Sequence, residues 1–409
     1  MTSYTRTQPV STLGKLAAPL THPPGAEPTP GWHQSLGKGA AGIALLHAER
    51  ANAGVGDWAT AHAWLTTVIS SGLSAGPDAG LFFGAPAAAF AIHTAAQGDP
   101  GRYRRALATL DNAVAAMTVD RLGRAHARID AGKLPATTEF DLISGMTGIG
   151  ALLLRRNPDG ELLRQVLAYL VRLTEPLAQD GRTLPGWWTY LGPRNRVAPD
   201  FPRGHGNLGI AHGITGPLAL LSLAARAGVV VDGQAAAIRR ICDFLTAWRQ
   251  EHDEAPGWPQ WLTVDADGRQ RPGQQAPGRP SWCYGTPGQA RALQLAGIAL
   301  ADAALLDIAE EAMAACLDAP GQLALMVDGS LCHGWAGLLQ VTARFAADAR
   351  QPFVSEHLAE LVDRLLAGGR PAGSQIGLLE GDAGVVLALH TAAAHAAPST
   401  GWDACMLLA

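Results

Sequence analysis

The sequence predicts an all-α fold with seven apolar helices in an inner layer and up to seven amphipathic helices in an outer one. Three observations carry that expectation: a glycine motif recurs along the whole chain, an apolar helical run follows each copy, and an amphipathic stretch separates the copies. The motif is Gly-x-x-Gly or a close variant, and its first glycines are Gly39, Gly84, Gly145, Gly213, Gly285, Gly334 and Gly381. Between 45 and 72 residues separate successive copies, which is room for two helices and their connections. One repeat is therefore a helix pair.

Runs such as GITGPLALLSLAA, from Gly213, are apolar on nearly every face and read as helices buried all round. The intervening stretches carry one apolar stripe each, for example Leu163, Val166, Leu167, Leu170 and Thr174, or Val354, Leu358, Leu361, Val362 and Leu365. Strict alternation makes neighbours antiparallel. Every inner helix then runs the same way, and the inner N-termini, with their unpaired N–H groups, gather at one end. Glycines three residues apart lie on one helix face and permit close approach where the inner layer is crowded.

Two connectors break the rhythm, Asp180 to Pro202 and His252 to Pro280, both rich in Pro, Gly and Trp. They fit a rim or a small β-containing cap, and their tryptophans either line a peptide groove or anchor long loops. Residues 1–30 read as a loosely ordered lead-in and residues 31–409 as a single domain.

Composition narrows the function. Lys and Arg number 31 against 35 Asp and Glu, a formal charge of -4 with no basic run, which argues against a nucleic-acid partner. The stretch from Gly204 to Ala225 lacks charged residues but holds His205, Asn207, His212 and Pro217, so it reads as core and not as a membrane span. The N-terminal sequence has no continuous apolar segment of the export type, which makes the cytoplasm the expected compartment. Five scattered cysteines are too few for a disulfide framework. Cys242 and Cys316, in apolar helical stretches, read as small buried hydrophobes.

The chemistry sits in one register of the repeat. Just before the first glycine stand Lys38, Phe83, Ser144, His212, Tyr284, His333 and Glu380; one step earlier stand Gly37, Phe82, Ile143, Ala211, Cys283, Cys332 and Leu379. Three consecutive copies thus bring His212, Cys283 with Tyr284, and Cys332 with His333 to equivalent positions, which would converge in a closed ring. Two thiols and an imidazole suit zinc, and three protein ligands leave a fourth position open, as catalytic sites do. The same residues also read structurally, with a cysteine at a helix start as core and a histidine beside glycine as a cap.

The segments GHGNLGIAHGITG, SWCYGTPG and LCHGWAG, in this order and spacing, closely resemble the signature of the LanC family, the stand-alone lanthipeptide cyclases. The resemblance spans essentially the whole chain. It implies a double α-toroid, one zinc ion held by Cys283, Cys332 and His333, and the addition of a peptide cysteine to dehydroalanine or dehydrobutyrine to close a thioether ring. By the same resemblance His212 is a general acid/base, Asp141 its orienting or charge-balancing partner, Arg279 an arginine near the metal that stabilises the enolate oxygen, and Tyr284 the motif tyrosine. Residue by residue, Asp141 also reads as a helix N-cap, Arg279 as a loop anchor and Tyr284 as a packing residue. The implied partners are a dehydrated precursor peptide, a separate dehydratase and an export transporter, with peripheral membrane association through such a complex. Two other functions fit the sequence: addition of a free thiol such as glutathione to dehydroamino acids, and a non-catalytic scaffold that binds modified peptides.

Overall fold

The computed structural model describes residues 14–99, 101–179, 181–192, 196–197, 201–265, 267–274, 278–368 and 376–409. Residues 1–13 of the predicted lead-in lie outside them, as do parts of both connectors.

Thirteen helices of eleven residues or more stand among the described residues: α1 (Ala40–Asn52), α2 (Trp58–Val68), α3 (Ala85–Ala95), α4 (Arg104–Asp130), α5 (Met146–Arg156), α6 (Glu161–Leu173), α7 (Thr215–Arg226), α8 (Gln234–Ala247), α9 (Thr286–Leu300), α10 (Ala303–Leu317), α11 (Trp335–Asp348), α12 (Leu358–Gly368) and α13 (Asp382–Ala394). The odd-numbered helices follow the glycine motif, and the even-numbered ones lie between. In α7 every residue from Thr215 to Ala224 is buried, whereas α6 buries only the face made by Leu163, Val166, Leu167, Tyr169, Leu170 and Leu173. This is the predicted alternation, set by hydrophobic pattern. Side-chain caps start two of the flanking helices: Asp57 accepts from Thr60 N–H at 2.7 Å, and Asp302 accepts from Ala304 and Leu305 N–H. One predicted stripe is interrupted. Val354 sits in a separate turn, Phe353–Glu356, and α12 begins only at Leu358, so Leu361 and Leu365 are the residues that α12 buries.

The chain forms two compact units. One comprises Met1–Ala75, Phe82–Asp111 and Val327–Asp403; within it α11, α13, α1 and α3 pack side by side in that order, with α12 and α2 covering them. The other comprises Gly76–Leu81, Asn112–Met326 and Ala404–Ala409; within it α5, α7 and α9 pack in that order, with α6, α8 and α10 alongside.

The loops entering the buried helices are tied to one another. In the first unit Cys332 N–H donates to Leu379 O at 2.9 Å, Leu379 N–H to Gly37 O at 2.9 Å, and Leu36 N–H to Phe82 O at 3.0 Å. In the second, Leu142 N–H donates to Ala211 O at 3.2 Å and Ile210 N–H to Cys283 O at 3.0 Å. Each bond joins the residue two or three before one motif glycine to the residue two before the next. The register deduced from sequence is thus a physical ladder of backbone pairs, which satisfies groups that burial would otherwise strand.

The ladder explains the second glycine of the motif. A Cβ at Gly42 would lie 2.1 Å from Leu36 O, and one at Gly384 would lie 2.0 Å from Leu378 O. Gly148, Gly216, Gly288 and Gly337 are pressed onto the carbonyls of their own entry loops in the same way, while the copy at Gly84 carries Ala87 instead. The side chain of the neighbouring repeat closes in as well, with Leu378 Cβ 2.7 Å from the position a Cβ at Gly42 would occupy. Crowding is therefore the reason for the glycine, as predicted, and the loop backbone is its main source.

Short strands occupy the connectors, each pair antiparallel: β1 (Leu177–Gln179) with β2 (Arg182–Leu184), and β3 (Leu191–Gly192) with β4 (Arg196–Val197). A three-stranded sheet joins β5 (His205–Asn207), β6 (Trp261–Val264) and β7 (Gln270–Pro272) in that order. Three of the four connector tryptophans are buried anchors, and the fourth, Trp261 in β6, is half-buried with its ring edge-on to Phe201. Trp187, Trp188 and Trp258 are buried, Trp188 donating its indole N–H to Arg203 O and Trp258 to Leu245 O, so none of the three offers an exposed groove. Among the described residues no helix is long and apolar enough to cross a membrane, and Gly204 to Ala225 splits into β5, a loop and α7.

Candidate metal centre and active site

A side-chain oxygen four residues before the motif glycine organises the entry loop in four repeats. Ser35 Oγ accepts from Lys38 N–H at 3.1 Å, Ser281 Oγ from Tyr284 N–H at 3.4 Å, and Ser330 Oγ from His333 N–H at 3.3 Å. Asp141 holds the same place in its repeat, its Oδ1 accepting from Ser144 N–H at 2.7 Å and Gly145 N–H at 2.8 Å. These are local side-chain turns of the kind Ser and Asp favour. They fix the direction of the residue that precedes each glycine, where the candidate chemistry stands.

In the second unit the turn at Asp141 does more than cap. A serine there would have one oxygen, but the carboxylate has two, and Oδ2 meets His212 Nδ1 at 2.6 Å. The Asp141 side chain is wholly buried, while the His212 side chain is 40% exposed. Asp141 is not the helix N-cap read from the sequence, a place that Gly145 holds; its carboxylate caps the entry loop with one oxygen and meets His212 with the other. Burial alone would disfavour the imidazolium, but the Asp141 carboxylate, by hydrogen bond and charge, with the Cys283 sulfur adding to it, raises the His212 pKa above its ordinary value. Nδ1 is committed to Asp141, so Nε2 is the nitrogen able to exchange a proton with a bound molecule.

The loop carrying Cys283 is gripped from two sides. Its carbonyl accepts from Ile210 and Ala211 N–H, which ties it to the His212 loop, and the fully buried Trp282 donates its indole N–H to Met406 O at 3.0 Å. Cys283 itself is buried, with its sulfur 3.8 Å from Ser281 Oγ. Tyr284 is half-buried; its ring lies 6.3 Å from that of His212, and its hydroxyl accepts from Asn207 Nδ2 at 3.2 Å. Arg279 sits half-buried at the start of this loop, and its carbonyl would lie 2.5 Å from a Cβ at Gly285.

In the first unit Cys332 and His333 are both half-buried, at the start of α11. His333 Nε2 lies 3.4 Å from Asp328 Oδ2, and Asp328 Oδ1 accepts from Ser330 N–H at 2.8 Å. Sequence reasoning missed Asp328. The signal was its place in VDGSLCHG, but it stands six residues before the motif glycine and not four, so it falls outside the column that holds Asp141.

Cys283, Cys332 and His333 form a group that could hold a metal ion, their donor atoms all lying within 4.8 Å of one another. Two thiols and an imidazole are the donor set that zinc prefers, and a poor one for the oxygen-seeking calcium or magnesium. The other cysteines differ in kind. Burial pushes the thiols of Cys242 and Cys316 up to about 12, consistent with inert core residues, and among the described residues no two cysteines are joined by a disulfide.

The profile of the family described as "Lanthionine synthetase C-like protein" matches residues 31–407. The chain belongs to that family. A LanC-like relative, the "Nisin biosynthesis protein NisC" of Lactococcus lactis subsp. lactis, is 25% identical over 261 residues, which are 61% of this chain. The chain spans 60% of the length of that curated relative. Among solved LanC-like structures, "Nisin cyclase" superposes with a TM-score of 0.78 at 21% identity, covering 98% of this chain and 96% of the other. With that likeness the all-α, toroidal LanC-like fold class predicted from sequence is shown.

Proposed function

We propose that this LanC-like protein is a zinc-dependent lanthipeptide cyclase, which closes (methyl)lanthionine rings by adding cysteine thiols of a peptide to its own dehydroalanine or dehydrobutyrine residues. The observation that carries the reading is the pairing of a soft three-donor group, Cys283, Cys332 and His333, with a buried-carboxylate histidine, His212 on Asp141. Family membership and the likeness to nisin cyclase support the same reaction class.

Zinc bound by the three donors would supply the Lewis acidity that lowers the pKa of an incoming thiol. The chain's own residues account for the protons. In the addition a sulfur–carbon bond forms at the β-carbon, the π pair moves to the carbonyl as an enolate, and the α-carbon then takes a proton, so the mass of the peptide is unchanged. His212 Nε2 accepts the thiol proton and, as imidazolium, delivers one to the α-carbon. Asp141 fixes the tautomer by holding Nδ1 and stabilises the charge that forms, as the buried carboxylate of a hydrolytic triad does. The Arg279 guanidinium, four residues before Cys283, supplies positive charge to the enolate oxygen. The Tyr284 ring, beside that of His212, closes the side of the imidazole and limits water. The implied partners are a dehydrated precursor peptide, the dehydratase that prepares it and an export transporter; the expected compartment is the cytoplasm, with peripheral attachment through such a complex.

The test is a count of free thiols. A dehydrated, cysteine-containing peptide is incubated with the protein and alkylated, because cyclisation leaves mass unchanged and only the number of alkyl groups reports it. The parent should consume thiols and His212→Asn should not. Thiols left intact by the zinc-loaded parent, or consumed equally by the variant, would reject the reading.

A further inference from the structure

The entry loop of α11 contains a second buried carboxylate facing a histidine. Asp328 is 6% exposed, and its two oxygens are divided in the same way as those of Asp141: Oδ1 accepts from a loop N–H, that of Ser330, at 2.8 Å, and Oδ2 lies 3.4 Å from a ring nitrogen, His333 Nε2. The loop is rigid around it. Trp335 N–H donates to Asp328 O at 3.0 Å, His333 N–H to Ser330 Oγ at 3.3 Å, and a Cβ at Gly334 would lie 2.3 Å from Asp328 Oδ1. The carboxylate therefore cannot swing away without displacing the backbone that carries Cys332 and His333.

We propose that Asp328 is a positioning residue for the metal centre: it keeps the proton of His333 on Nε2 and thereby presents Nδ1 to the metal. This rests on the reading of Cys283, Cys332 and His333 as zinc ligands. A neutral imidazole has one donor nitrogen and one acceptor nitrogen, and the partner of the first decides which is the second. A carboxylate can only accept from Nε2–H, so it selects the tautomer with a lone pair on Nδ1 and makes that lone pair more basic. An amide at the same place can present its NH2 instead, which favours the opposite tautomer and leaves a proton where the metal must bind. Ser330, which orients the His333 backbone, and Asp328, which orients its ring, thus divide the placement of one ligand.

The test compares the full-length parent with Asp328→Asn, whose amide oxygen can still accept from Ser330 N–H. Metal affinity is read by competition with a chromophoric chelator, and ligand identity by the visible spectrum of the cobalt-substituted protein. The parent should bind one zinc per chain, and Asp328→Asn should bind it about 10–100-fold more weakly with altered cobalt ligand-field bands. Asp328→Glu should recover part of the affinity. If Asp328 acts through His333, Asp328→Asn placed on His333→Ala should cause no further loss. Equal affinities and spectra for parent and Asp328→Asn, or an undiminished additional loss on His333→Ala, would overturn the proposal. A variant that loses melting temperature while its folded fraction binds zinc as the parent does would overturn it too, giving Asp328 a purely structural role. Absence of metal from the parent is a separate outcome, which would instead reject the zinc-ligand reading.

Discussion

Asp141 Oδ2 stands 2.6 Å from His212 Nδ1, with the carboxylate wholly buried and the imidazole side chain 40% exposed. One carboxylate thus ties the entry loop to the imidazole that the proposed mechanism uses. The Asp141 side chain caps its loop with Oδ1, which prevents it from moving away when the charge on His212 changes.

Asp141→Asn separates those two duties. The amide oxygen can still cap Ser144 and Gly145 N–H, so the fold should persist. The charge that raises the His212 pKa is gone, however, and the amide no longer enforces the correct tautomer. The rate of thiol consumption should fall by about 10²–10⁴-fold. Any alkaline limb that reports the imidazolium should also shift to lower pH, because the raised pKa is what keeps that form populated. A pH–rate profile unchanged in both height and position would remove Asp141 from the mechanism.

His205 in β5 makes stability depend on pH. It is buried against Phe201, their ring centres 4.2 Å apart, and burial pushes its pKa down to about 4. The folded state holds it neutral, while the unfolded chain protonates near 6.5, so between those values the unfolded state binds more protons. Stability should be fully present above pH 6.5 and decline on acidification toward pH 4, by up to about 1.4 kcal/mol per pH unit from this group. In denaturant titrations the parent should lose stability relative to His205→Phe as the pH falls from 6.5 toward 4; profiles that stay parallel would show that His205 does not drive the decline.

The paired glycines make a sharp stability prediction. A Cβ at Gly337 would lie 2.1 Å from Leu331 O, so Gly337→Ala should cost about 3 kcal/mol through forced displacement of the loop that carries Cys332. Gly123, within α4, has nothing within 4 Å of its Cβ position, and Gly123→Ala should stabilise by about 0.5–1 kcal/mol. Thermal melts that rank the two variants the other way would contradict the close-approach account.

Cys242 and Cys316 should resist iodoacetamide at pH 8 in the folded protein and react fully in denaturant, because a thiol pushed up to about 12 holds almost no thiolate at that pH. Mass mapping of the alkylated cysteines checks this.

The repeat was legible because its cause is local and repeated. A loop carbonyl presses on the second motif glycine in six of the seven copies, the copy at Gly84 having Ala87 there, so the glycine recurs with the loop, and the alternation of buried and flanking helices follows from hydrophobic pattern alone. The register of Cys283, Cys332 and His333 was legible for the same reason. What stayed hidden depends on which way a side chain turns. Nothing in the sequence distinguishes a tryptophan that anchors a loop from one that lines a groove, and Trp187, Trp188 and Trp258 proved to be anchors. Asp328 was hidden because its loop reaches His333 from two residues outside the column that holds Asp141. Nor could hydrophobic periodicity reveal that the stripe through Val354 and Leu365 is broken near His357, since the apolar spacing continues across the break.

Zinc content per chain, in the purified parent and in Cys283→Ala, Cys332→Ala and His333→Ala, tests the central claim most directly. The account predicts about one zinc per chain in the parent and loss or marked weakening of binding in all three variants. A folded parent that takes up no zinc on reconstitution, or variants that keep it undiminished, would contradict the proposed metal centre and the cyclase mechanism built on it.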